Sequence, residues 1–205
     1  MNTMFVLAVP RIVVGLLVLG HGLQKVAGWF GGPGLSGTAT LLDSLRIRRA
    51  RGWALALGLS EAIGGTAMAA GLFQPLGQIA VATVMLMAIG LIHWWRGLWN
   101  ANGGAELPLL MATVAVVSAA VPQGISLDAA LGISVPAWVT LVFTIGAIMA
   151  ALYAIATRRP AEAAATRSAS PVDVDVDRED VPSAGTRPVR AMRFAAWRRD
   201  IRLVR

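Results

Sequence analysis

The chain has no cysteine, which excludes disulfides, thiol catalysis, cysteine-ligated zinc and iron–sulfur clusters. The same absence leaves the redox compartment unreadable. Charge is scarce too: Asp, Glu, Lys and Arg make up 14% of the 205 residues, against roughly 25% in a soluble domain. Apolar residues take their place, at 56% with a mean hydropathy of +0.65, the composition of an integral membrane protein. A net charge of +7 would suit a nucleic-acid binder, but its placement does not. Eleven of the seventeen arginines lie from Arg158 onward, and the other six sit mostly at the ends of apolar runs. Arginine on the cytoplasmic flanks of membrane spans accounts for that pattern, and no nucleic-acid partner is expected. The glycine-rich residues 31–34 are no phosphate cradle either, since the Walker lysine and hydroxyl residue are missing.

Five apolar stretches read as transmembrane helices, at about 4–27, 53–73, 76–95, 107–121 and 136–157. The first holds Arg11 inside it and closes in His-Gly-Leu-Gln-Lys, unlike a cleaved secretory signal, so it is expected to stay as the first span. Residues 36–51 carry Leu41, Leu42, Leu45 and Ile47 among polar neighbours, which predicts a short helix lying at the interface. Arg46, Arg48, Arg49 and Arg51 then mark a cytoplasmic loop. The second span has small residues at Gly58, Gly64, Gly65, Ala69 and Gly71, spacing that lets backbones approach inside a bundle. Residues 74–77 make a tight uncharged turn, and the third span ends in an interfacial belt, His93-Trp94-Trp95-Arg96. Residues 122–135, with Asp128, form an outer loop.

Putting every arginine cluster inside yields one topology: N-terminus outside, five spans, C-terminus cytoplasmic. Residues 1–157 are then an all-α membrane bundle. Residues 158–187, rich in Ala, Ser, Pro and alternating Val-Asp, predict a disordered linker. Residues 188–205 are basic. On a helical wheel Met192, Phe194, Trp197, Ile201 and Val204 share a face, so this tail reads as an amphipathic helix on anionic lipid head groups or, equally, as a solvated basic segment.

The ionisable residues inside apolar spans carry what chemistry there is. Glu61 lies about ten residues into its span, about 15 Å deep at 1.5 Å per residue, where an unpaired carboxylate is costly. It must be protonated or hydrogen-bonded, or must face Arg11, His21 or Lys25. It is either a proton-carrying or ligand-orienting group or a buried staple fixing helix register. Lys25 sits one turn beyond His21 on the same face, where its plain reading is snorkelling to head groups. His21 admits three readings: a satisfied structural histidine, a proton relay or quinone-bonding group, or a haem or metal ligand. His21 and His93 on different helices would permit axial haem, although nothing else in the chain supports it; no other metal site is expected. Asn100 and Asn102 suit a helix cap or an ordered loop, and Glu106 the first turn of the fourth span. Their alternative is a polar mouth, built with His93, Trp29 and Trp99, that admits a head group. A weak internal repeat links the two histidines, each followed ten and eleven residues later by a glycine pair, Gly31-Gly32 and Gly103-Gly104.

Several motifs in order resemble the DoxX family. These are Arg11 through Gly15, His21-Gly-Leu-Gln-Lys25, Trp29-Phe-Gly-Gly-Pro-Gly34, Ser60-Glu61 with Gly64-Gly65, and Trp99-Asn100 with Asn102-Gly-Gly-x-Glu106-x-Pro108. The resemblance spans about Val6 to Val121 and implies a four-helix bundle of the bacterial plasma membrane, to which 136–157 adds a fifth span. It also implies a subunit or scaffold of a membrane redox or oxidative-stress assembly, with soluble redox partners on the cytoplasmic side and a quinone as the candidate cofactor. His21, Lys25, Glu61, His93, Asn100 and Glu106 are the candidate pocket. No motif commits the chain to a reaction of its own. The alternatives are a non-catalytic anchor recruiting soluble partners through its basic tail and a small transporter or lipid-handling protein.

Overall fold

The computed structural model describes residues 3–121 and 125–158, and every regular element among them is helical. The expected linker 158–187 and basic tail 188–205 lie, apart from Arg158, outside the described residues. The helices are α1 (Thr3–Ala27), α2 (Gly34–Ser44), α3 (Ala50–Ala70), α4 (Leu76–Ala88), α5 (Glu106–Ala120), α6 (Leu127–Leu131) and α7 (Ala137–Ala156). A π-helical turn at Ile89–His93 and a 3-10 turn at Trp94–Arg96 extend α4. Shorter 3-10 turns at Trp29–Gly31 and Asn100–Asn102 follow α1 and the α4 extension.

Among the described residues three helices are long and apolar enough to cross a membrane: Ala8–Ala27, Leu76–Arg96 and Ala137–Ala156. The molecule is a helical membrane bundle. α3 has the length, at 21 residues, but Arg51 and Glu61 lower its hydropathy, and α5 is a shorter apolar helix of 15 residues.

α1 and α3 run antiparallel with their backbones almost touching. A Cβ built on Gly15 would lie 2.7 Å from the Gly65 carbonyl oxygen, and one on Gly22 would lie 2.4 Å from the Ala62 nitrogen. Gly65 in turn faces Gly15 and Leu19 backbone at 2.6 Å. Membrane helices gain little from burying apolar surface against each other, so close van der Waals contact between small residues is what holds them. The glycine pairs at 15 and 22, and at 58 and 65, are each seven residues apart and meet as one seam. α3 ends in a Schellman motif, with Leu72 N donating to Ala67 O at 2.9 Å and Gly71 N to Met68 O at 3.2 Å. Gly71 has φ +66, the left-handed conformation that glycine adopts without strain.

Val14 and Val18 from α1, Met68 from α3, Val81, Ala82, Val84 and Met85 from α4, and Met111, Ala112 and Ala115 from α5 form one apolar core. That is the four-helix core. α7 sits outside it: its one buried residue is Ala154, which packs with Met87 and Leu91, and Tyr153 stacks at a tilt on Trp53. α7 also packs on α4, and an apolar groove of about 440 Å³ runs between it, α3 and α4.

α2 differs from expectation. Leu42 and Ile47 are buried against Ala54 of α3, and buried Thr38 donates to the Gly34 and Lys25 carbonyl oxygens. The apolar side of this helix packs on the bundle, while Leu41 is 46% exposed. The expected loop 122–135 contains α6, capped by Ser126 Oγ accepting from Ala129 N at 3.1 Å.

Candidate functional site

Glu61 is 1% exposed on the α3 face that meets α1. Gly58 and Gly65, one turn to either side, remove the side chains that would otherwise separate the helices. α1 places Lys25 opposite, and its Nζ donates to Glu61 Oε2 in a short ion pair. Of the partners weighed for Glu61, Lys25 is the one it takes. The Lys25 side chain is 31% exposed, so its head lies at the edge of the buried region instead of reaching freely to head groups.

One turn back on α1, His21 Nδ1 lies 3.1 Å from Gln24 Oε1. His93 arrives from the end of α4, where the π-helical turn inserts one residue and so shifts the helix phase by about 100°. Its Nδ1 is 2.7 Å from the Gly103 carbonyl oxygen. Asn100 comes from the loop after α4, and its backbone N–H donates to Glu106 Oε2 at 2.9 Å. The N-cap position of α5 is Ala105, with no side-chain cap hydrogen bond, so the asparagine does not cap this helix. The capping runs the other way, from the first-turn carboxylate back to the loop.

His21, Lys25, Glu61, His93 and Asn100 line one partly open cavity of about 200 Å³ together with Met85, Ala88, Leu107, Pro108 and Met111. Five of the six candidate residues thus meet. Glu106 is not in the wall but holds the loop that supplies Asn100. Trp29 and Trp99, expected at the mouth, are 57% and 65% exposed and are not cavity walls. Both glycine pairs use one device. Gly31 and Gly103 have φ +73, while a Cβ on Gly32 or Gly104 would meet its neighbours at 2.5 Å, those of Gln24 and Gly97 respectively.

Arg11 does not join this group. It is 1% exposed at the other end of α1, where Nη2 donates to Ile125 O at 2.8 Å and Nη1 reaches Gln74 Oε1 at 3.5 Å. Gln78 Nε2 donates to the same Gln74 oxygen at 3.0 Å. Asp128 accepts from Phe73 N at 2.8 Å and Gln74 N at 2.7 Å. This second polar cluster ties α6 and the α3–α4 turn to α1. The sequence held one signal for it: an arginine inside an apolar span, with Asp128 the one acidic residue of the adjacent loop. Val14 and Val18, with their core partners Met68 and Val81, fill the space between the two clusters. Among the described residues no group of three His, Cys, Asp or Glu is placed to hold a metal ion.

The family model described as DoxX matches residues 6–94. That range runs from α1 to the 3-10 turn after the π segment. It includes His21, Lys25, Glu61 and His93 but stops short of Asn100, Glu106 and α5, which the sequence motifs had suggested it would reach. No curated protein and no solved structure matches the chain. Over residues 6–94 this helical membrane protein is similar to the DoxX family.

Proposed function

We propose that the protein is a membrane subunit of a redox or oxidative-stress assembly, and that its cavity holds the head group of a lipid-soluble ligand of the quinone class. The observation that carries this reading is the convergence of His21, Lys25, Glu61 and His93 on one small cavity inside a membrane bundle. Ionisable groups are costly at that depth and mark functional sites by default. The mixed lining supports it as well: an apolar plate of Met85, Leu107, Pro108 and Met111 takes a ring, and the polar groups address its substituents. A cavity of about 150 Å³ admits benzene, so about 200 Å³ fits one substituted six-membered ring. A bound quinone would supply two-electron redox chemistry. The chain itself contributes binding, orientation and hydrogen bonds from the two histidines and the Lys25–Glu61 pair.

In this reading the chain crosses the bacterial plasma membrane five times, with the Lys25 end of the cavity toward the cytoplasm, where soluble redox partners dock. Mass spectrometry of small molecules retained by the full chain in mild detergent tests it. A retained quinone, lost in Glu61→Gln, supports the pocket. An empty preparation whose cellular role survives Glu61→Gln but not deletion of residues 160–205 favours an anchor that recruits partners through its tail.

A further inference from the structure

Small residues on α3 have opposite effects on its two sides. Toward α1 they bring backbones into contact. Toward α7 they leave a gap. A Cβ on Gly146 meets nothing within 4 Å, and Gly146, Ala150 and Ala151 of α7 line the partly open groove of about 440 Å³ opposite Ala56 of α3 and Ala80 of α4. The large side chains along it, Trp53, Leu57, Met87 and Phe143, are apolar, and none of its lining residues is charged. Thr83 Oγ1 is spent on the Ile79 carbonyl oxygen at 2.8 Å. The groove runs from Trp53 to Ser60 on α3 and from Val142 to Ala151 on α7. At 1.5 Å per residue that is about 10 to 14 Å, close to half of a hydrocarbon core of about 30 Å. Ser60 lines the groove and Glu61 the polar cavity, so the two sites lie about 100° apart round α3.

Apolar space of this kind takes no water, and size decides between a lipid chain and a helix. A cavity of about 150 Å³ admits the six carbons of benzene, so about 440 Å³ takes about eighteen, one fatty acyl chain. A helix about 10 Å across and as long as the groove needs about 1,000 Å³, more than the space offers. Charge decides the head group. Arg51 precedes Trp53 by two residues and Arg158 follows Ala151 by seven, and both arginines are exposed. The tilted ring pair of Trp53 and Tyr153, with centroids 6.5 Å apart, brings these two helix ends together. Residues 43–51 hold four arginines against one acid, Asp43. We propose that the groove between α3, α4 and α7 holds one acyl chain of an anionic phospholipid whose phosphate lies against Arg51 and Arg158. The site is separate from the polar cavity and does not depend on what that cavity binds.

The test is native mass spectrometry of the full chain, stripped of lipid in detergent and titrated with palmitoyl-oleoyl phosphatidylglycerol or with the phosphatidylcholine bearing the same chains. One tightly held phosphatidylglycerol per chain is expected, bound about thirtyfold better than the choline lipid on account of two arginines. Arg51→Gln is expected to cut that preference about fivefold. Gly146→Leu, whose added side chain has room, fills the groove and abolishes the tight adduct. Ala150→Leu does the same one turn further along α7, and circular dichroism shows which of the two is folded; one folded variant suffices. Retention unchanged by filling the groove puts the lipid elsewhere, the basic tail included, and overturns the proposal. Equal binding of the two lipids, binding of neither, or a dimer in place of a lipid adduct overturns it as well.

Discussion

Lys25 and Glu61 are unequal partners, and their removal has unequal consequences. Glu61 is 1% exposed, and nothing else described donates to its oxygen Oε2. Lys25→Met therefore strands a buried carboxylate, a loss of about 3 kcal/mol. Glu61→Gln leaves an ammonium that is already 31% exposed on its side chain and can turn toward head groups, so its cost is about 1 kcal/mol. Replacing both, as Lys25→Met with Glu61→Leu, recovers most of the larger loss. Thermal unfolding of the three variants in one detergent measures the asymmetry; equal destabilisation by the two single changes contradicts it. Arg11 supplies a contrast at the far end. Arg11→Met removes the donors to Ile125 O and Gln74 Oε1 and costs about 2 kcal/mol, while ligand affinity at the cavity stays unchanged.

The all-helical bundle was legible in the sequence because a membrane span is a long apolar run, and three of the helices are long and apolar enough to be one. The seam was legible from the glycines of α3, since few reasons other than close approach retain so many in one span. It also separates glycines by consequence. At Gly22 an added methyl meets the Ala62 backbone, which cannot move aside, whereas at Gly20 it meets nothing within 4 Å. Gly22→Ala is expected to lower the melting temperature sharply. Gly20→Ala, on the same helix, is neutral or stabilising by up to about 1 kcal/mol. What the sequence hid was the π-helical turn at Ile89–His93, because one inserted residue leaves the apolar run looking continuous. Its effect is testable. Deleting Gly90, exposed and with nothing within 4 Å of its Cβ position, restores α-helical phase and swings His93 about 100° off the cavity. Ligand affinity is then lost while the helical content holds. The setting of Arg11 was hidden as well, since the Ile125 carbonyl it bonds lies 114 positions away and is brought near by the path of the chain around the bundle.

At the scale of the molecule, α7 is an accessory to a finished core. Its removal exposes Met87 and Leu91 to lipid, which is as apolar as the side chains it replaces. A chain ending at Gly132 is therefore expected to stay folded, with a melting temperature within about 4 °C of the parent, equivalent to about 1 kcal/mol; collapse of that shortened chain would make α7 part of the core. Along the bundle axis the two polar clusters stand about ten residues apart on α1, about 15 Å, with Val14, Val18, Met68 and Val81 packed between them. Among the described residues this apolar layer lies between Glu61 and Arg11. If that layer insulates the two ends from each other, vesicles containing the protein are expected to hold a pH gradient as long as empty ones do.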